Sequence, residues 1–435
     1  MTFITTRLQK TDARSVFVLT IFSVLLGLPT DASGEDRPAA QARLSEIDAA
    51  KAACSALGDA VTLARVQQGN AEIVAAEVLP NPDLVFNDNR SLTGPKDHET
   101  IIGLSVPLGL GGGRFVRQHA AAAAREAALL SAGQTAFEVA LDVRERFARA
   151  SLAAARLAVL DDQQNALGAL IERVEKLAAG GEAASYDILR LRSRQRASHL
   201  QAKPLRATLE AERRWLETLV GGPVAIDAGG VERLVESVSR AQRDTGEHPA
   251  VAGLAKQAEA ARLRAEAAER SWAPDIDLFA GYRMVGGLNQ QVGHGLSVNL
   301  TVPLTFFDHG QGEARRARAR AALNEAQAAA ARRRFEADKQ RAAARDATLL
   351  AADDGMGAVE VADRWVAAAS KLYQTGEGSL LDVLEAFQAR TEAKLGQLDV
   401  LEQRVNAKLE WMRAAGDLAS PDLESACGIA RKERP

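Results

Sequence analysis

The chain has two cysteines, Cys54 and Cys427, in 435 residues. That rules out any Cys-x-x-Cys metal or redox centre. Its six histidines, His98, His119, His199, His248, His294 and His309, are scattered without a His-x-x-x-His pair, so no high-affinity metal site is expected. Aromatic residues are only 4% of the chain, while Ala, Leu, Arg, Glu and Gln abound, the composition of long or coiled-coil-like helices. The formal net charge is −3, so no basic surface points to nucleic acid. No apolar run of bilayer-spanning length follows the N-terminus, so the mature chain has no spanning helix. A phosphate-binding Gly-x-x-x-x-Gly-Lys-(Ser/Thr) loop and a recognisable nucleophile motif are also missing. These absences leave no enzyme class and no cofactor in view, and any energy for work must come from a partner.

What is present begins with an export signal. Arg7, Lys10 and Arg14 precede an apolar stretch, 16–28, and small residues ending at Ala32 follow, which places cleavage after Ala32. In an oxidising compartment an even cysteine count permits a Cys54–Cys427 disulfide. Two buried free thiols fit the sequence equally well, because sequence carries no Cα separation.

The stretch 295–304 alternates strictly. Leu296, Val298, Leu300, Val302 and Leu304 share one side of a strand, and Ser297, Asn299 and Thr301 the other. A long Ala/Arg/Glu-rich segment with helical spacing follows, with no proline before Pro421. The same join occurs earlier. Ile102, Leu104, Val106 and Leu108 alternate with Ile101, Gly103 and Ser105, and Gly111 to Gly113 open another Ala-rich helix. Laid side by side, the halves match: Lys176 answers Lys371, Gly181 answers Gly376, Asp187 answers Asp382 and Gly221 answers Gly416. Each half reads as helix, hairpin, long helix, a break at Gly181 or Gly376, and a second helix. The resulting division is a signal peptide at 1–32, a first repeat at 33–223, a linker with weak structure at 224–246, a second repeat at 247–416 and a tail at 417–435. Within the first repeat Pro204 is expected to kink or interrupt its helix. In the second, Gly286 and Gly287 are expected in the hairpin loop.

Each half supplies only two strands. Four strands with an apolar outer face cannot close a barrel, and an open edge cannot sit in lipid. Such a chain must oligomerise to about 8, 12 or 16 strands. The opposing reading is a soluble sheet whose apolar face packs on the helices. Helices of about 60 residues would each span about 90 Å, a length suited to a tube.

These residues resemble the TolC family of outer-membrane efflux channels. The resemblance runs from about Leu44 to Gly416 and rests on both hairpin-to-helix joins and both Gly-to-Asp breaks, above all Tyr373, Gly376, Asp382 and Glu385. The turns around Pro82 and Gly112 resemble those of the CzcC-like branch, which serves heavy-metal efflux. What the resemblance implies is a mainly helical chain with a small transmembrane β part, and a homotrimer with a twelve-stranded barrel in the outer membrane of a Gram-negative cell. It further implies long periplasmic helical hairpins and a tripartite system with a periplasmic adaptor and an inner-membrane pump of the RND type. The cargo would be divalent metal cations, with organic compounds or secreted polypeptide as the alternative, and an exported coiled-coil scaffold as the reading from another class. The resemblance makes Asp382 and Glu385 an acidic entrance ring and Asp187 and Tyr373 a helix latch. Gly378 stands where well-known members carry a latch arginine, so an arginine latch is not expected here.

Overall fold

The computed structural model describes residues 45–92, 97–109, 112–180, 185–224, 226, 228–240, 247–272, 276–287, 290–351 and 355–427. The export signal and Gly181 lie outside these residues.

The chain begins with α1 (Glu46–Ala53), capped by Ser45, whose hydroxyl accepts the Asp48 N–H. A single π-helical turn (Cys54–Gly58) leads into α2 (Asp59–Glu77). The hairpin β1 (Asp83–Arg90) and β2 (Asp97–Pro107) follows, then α3 (Gly113–Ala179) and α4 (Ser185–Val220). The short α5 (Gly230–Arg240) links the halves. The second half repeats the plan with α6 (Pro249–Glu269), β3 (Asp277–Gly287), β4 (Gln290–Thr301), α7 (Gln311–Ala351), α8 (Gly355–Thr375) and α9 (Leu380–Ala415). A terminal α10 (Pro421–Ala426) closes the described chain.

At 1.5 Å per residue the 67 residues of α3 extend about 100 Å. Small side chains line its contact faces: Ala120, Ala127, Ala132 and Ala140 are buried on α3, as are Ala258, Ala261 and Ala265 on α6 and Ala314, Ala317 and Ala321 on α7. Burying alanine loses no side-chain entropy and lets the helix axes approach closely. Two larger apolar clusters punctuate this packing. One joins α1, the middle of α3, α5 and the ends of α9 and α10 around Phe137, Leu141, Met412 and Leu423. The other joins α3, α4, α8 and α9 near Gly376 through Leu167, Val174, Leu191, Val383 and Leu384.

The four strands form one antiparallel sheet in the order β1-β2-β3-β4. Register puts Leu84, Leu104, Ala280 and Val298 in one cross-strand row and Phe86, Ile102, Tyr282 and Leu296 in the next. This face does not pack on the helices: Leu84 is 71% exposed and Leu296 85%. The reading of a soluble sheet with its apolar face buried is therefore wrong for this chain. The opposite face carries Asn87, Ser105, Ser297 and Asn299, with one buried aromatic, Phe279. A Cβ on Gly281 would collide with the Phe279 ring at 2.6 Å, and one on Gly103 would meet the β3 backbone at 2.4 Å and the same ring at 2.7 Å, so both positions need glycine.

Three other expectations are corrected. Residues 224–246 are not uniformly weak, because α5 buries Val231 and Val235, one turn apart, in the first cluster. Pro204 does not interrupt α4, which continues through it. Ala202 and the partly buried Leu205 hold that segment against Leu157 and Leu160, and packing outweighs the lost hydrogen bond. The second hairpin is tighter than expected, with Gly286 and Gly287 inside β3, a bulge between Val285 and Gly287, and Gly287 paired with Gln290.

Candidate channel gate and membrane face

The break between α8 and α9 is built by backbone geometry. Gly376 has φ +78°, and the N–H groups of Glu377 and Gly378 both donate to the Leu372 carbonyl at 3.0 Å. This satisfies a helix C-terminus and turns the chain sharply. Gly378 has little freedom to change, since a Cβ there would lie 3.0 Å from Leu372 Cβ. Ser379 then caps α9. Its hydroxyl accepts the Asp382 N–H at 3.2 Å, while the Ser379 N–H and hydroxyl donate to Asp382 Oδ2 at 3.0 and 2.7 Å. This is a complete capping box. The bonds from the Ser379 hydroxyl and N–H hold the Asp382 carboxyl below its ordinary range.

Asp382 and Glu385 are both exposed, and the residues between them, Val383 and Leu384, are buried in the second cluster. The two carboxylates thus share one helix face one turn apart. They are not equivalent, because Asp382 also holds the helix start. Replacing Asp382 by Ala is expected to cost about 1 kcal/mol through the lost cap. Glu385→Gln should leave thermal stability unchanged within error. Matched melting curves of the two variants check this contrast, and equal losses would refute it.

The Asp187 charge on α4 reaches Tyr373 on α8. Burial raises the Tyr373 pKa first, the nearby Asp187 charge raises it further, and Arg173 opposes both. Tyr373 also packs on the second cluster beside Ile188 and Phe387. A groove of about 570 Å³ beside them is lined by Arg173, Lys176, Gln374 and Val383 among others. Sequence reasoning missed Arg173 and Lys176, which sit at i and i+3 on an otherwise ordinary polar helix face.

No family model matches the chain. Among curated proteins it is similar to the cobalt-zinc-cadmium resistance protein CzcC of Cupriavidus metallidurans. The two are 25% identical over 358 residues, covering 79% of this chain and 83% of that protein. Among solved structures, the outer-membrane protein VceC of Vibrio cholerae superposes with TM-score 0.65 at 15% identity, over 86% of this chain and 96% of that one. CusC gives TM-score 0.65 at 15% identity, over 90% and 99%. The open-state MtrE outer-membrane channel of Neisseria gonorrhoeae gives 0.62 at 13%, over 89% and 94%. The chain has the fold of these outer-membrane channels, and over most of its length it is similar to CzcC.

In this chain the two cysteines are joined. Cys54, in the π turn, is bonded to Cys427 with their Cα atoms 5.1 Å apart. Beside them Arg144 is fully buried and donates to Glu46 and to the Leu418 carbonyl. Burial raises the Glu46 pKa, with Arg144 and then Arg233 of α5 pulling it back.

The histidines separate once placed. His98 pairs with Asp88 at 2.6 Å, and His294 shares a hydrogen bond of 2.6 Å with Tyr282. Among the described residues no group of three His, Cys, Asp or Glu side chains could hold a metal ion. His248 is the buried exception and caps α6. Its Nδ1 accepts the Ala250 N–H, and its Nε2–H donates to the Arg413 carbonyl, both at 3.1 Å. Its ring stacks on Phe335, with centroids 3.8 Å apart. The helix start at Pro249 was legible in the sequence, but His248 was not read as its cap.

Burial depresses the His248 pKa below its ordinary 6.5, with the Arg413 carbonyl and Glu138 acting the other way. Neutral His248 therefore contributes stability that is whole above pH 6.5. That stability declines as pH falls from 6.5 to the lower folded value, where the unfolded chain binds the extra proton. We expect melting temperature to drop over that window. His248→Asn keeps a capping acceptor and should flatten the slope. An unchanged slope would assign the acid sensitivity to other groups.

Proposed function

We propose that the chain is the passive outer-membrane duct of a tripartite efflux system for divalent metal cations. The observation that carries the reading is the sheet, whose exposed apolar face ends in two edges, β1 and β4, with no partner strand among the described residues. Lipid tolerates neither edge, because unpaired backbone groups there have no water. Pairing β4 of one copy with β1 of the next in a homotrimer closes about twelve strands. The long helices then extend into the periplasm, where an adaptor and an RND-type inner-membrane pump supply the drive. The metal cargo rests on the similarity to CzcC.

In this reading Glu385, with Asp382, forms an acidic ring at the periplasmic entrance that attracts cations and repels anions. The Tyr373–Asp187 approach and the Arg173 side of the groove hold the hairpins closed in place of an arginine latch. Absence of a strong ligand set suits a conduit, since tight binding would stall transport. The chain has no catalytic role in this account.

Deletion of the gene tests cargo. We expect hypersensitivity to divalent metals with unchanged sensitivity to organic drugs, scored as inhibitory concentrations and restored by the wild-type gene. Drug hypersensitivity alone would move the assignment to organic compounds. In planar bilayers Glu385→Gln should weaken cation selectivity, and an unaltered reversal potential would remove Glu385 from the ring.

A further inference from the structure

The apolar outer face of the sheet ends in different chemistry at its two rims. Beyond the row of Phe86, Ile102, Tyr282 and Leu296, the next row on the same face is Asp88, Thr100, Met284 and His294, and Arg90 pairs with His98 one step further. Among the described residues of this face, Arg90, His98 and His294 stand with one acid, Asp88. Asp88 is shared by Arg90 Nε at 3.1 Å and His98 Nε2 at 2.6 Å. His294 bonds Tyr282 through Nδ1, which leaves Nε2 at its outer edge. Arg90 is the most open member, with its side chain 70% exposed. The other rim, where the strands pass into helices, is aromatic. Trp272, Phe306, Phe307 and Phe115 are all exposed there, in a chain where such residues are scarce. The Thr305 hydroxyl donates to the Trp272 carbonyl and ties that residue to the segment carrying Phe306 and Phe307.

Aromatic rings at the end of an apolar band suit the headgroup level of a membrane–water interface. A cluster of arginine and histidine at the same depth on the opposite side suits phosphate, which a guanidinium binds through two parallel N–H donors. A membrane with identical leaflets gives no reason for the two rims to differ. We propose that the Arg90–His98–His294 rim binds the phosphorylated headgroups of a lipid confined to one leaflet, so that the sheet reads the asymmetry of its membrane as well as its thickness. This rests on the channel reading above.

The test uses the purified full chain reconstituted into phosphatidylcholine vesicles containing either bisphosphorylated lipid A or its dephosphorylated form. Native mass spectrometry then counts retained lipid. Wild type should retain the phosphorylated form preferentially. Arg90→Gln should reduce that preference about fivefold, the worth of one basic side chain near a charged surface. Arg90→Gln/His98→Gln/His294→Gln should abolish it, and Arg90→Lys, which keeps the charge but loses the paired donors, should fall between wild type and Arg90→Gln. Phe306→Leu/Phe307→Leu, at the other rim, should leave it intact. Equal retention of both lipids by wild type, or a preference that survives the triple variant, would overturn the proposal while leaving the channel reading standing. Failure of wild type to insert into any vesicle would overturn both.

Discussion

Replacing Arg144 by Met is expected to cost the fold about 3–5 kcal/mol, the usual penalty for breaking a buried ion pair from one side. Arg144 is 1% exposed and lies near the middle of α3. It reaches Glu46 of α1, 98 residues earlier, and the Leu418 carbonyl, 274 residues later, with Met412 Sδ 3.8 Å away. One guanidinium thus fastens both ends of the described chain to its longest helix. Without it, the Glu46 carboxyl stays largely buried and keeps Arg233 as its remaining cation. That carboxyl would take up a proton, so the variant should lose more stability at neutral pH than in acid. A folded-state carboxyl pKa raised above the unfolded value costs stability as pH rises through it. The decisive comparison is Arg144→Met against Arg144→Met/Glu46→Met. Two well-packed apolar residues remove the orphan charge, and the double variant should recover most of the loss. Equal losses would mean that the arginine acts by packing alone.

Loss of the Cys54–Cys427 bond should be of similar size. The bond closes 373 residues of chain, and restraining so long a loop in the unfolded state is worth about 6 kcal/mol in the chain-entropy model. With unfolding entropy of about 2.1 cal/mol/K per residue, that corresponds to a drop in melting temperature of about 7 °C. Reductant should produce the drop in wild type. Cys54→Ser should show it without reductant and be indifferent to added reductant. Wild-type protein whose melting curve ignores a strong reductant would show that the bond contributes nothing in solution. The two predictions concern one neighbourhood, the cluster around Phe137 and Met412. They are therefore expected to be non-additive when combined.

That neighbourhood also marks the limit of what could be read from residues alone. The alternation at 295–304, the Ala-rich stretches and the glycines at 376 and 416 are local signals. Each acts through neighbours within about a turn, and the structure has the strands, helices and ends that they imply. The capping box at Ser379 and Asp382 was legible in the same way, although Asp382 was read for its charge and not for its cap. By contrast, α5 was hidden in a polar segment because only the partners of Val231 and Val235 make it a helix worth forming. Pro204 misled for the same reason, since propensity is a weak force beside the packing of Ala202 and Leu205.

By itself, then, the sequence determined the repeat, the two hairpins with their apolar face, the long helices and the breaks between them. The expectation of more than one chain has the same origin, because the strand count is set by periodicity and lipid tolerates no open sheet edge. Only the tertiary structure decided that Arg144 holds Glu46 and Leu418, that the cysteines meet, that His248 is a buried cap, and that the Asp187 charge reaches Tyr373. Those contacts join residues tens to hundreds of positions apart. Their energies depend on burial and on the distance between charges, and neither quantity is carried by the spacing of residues along the chain.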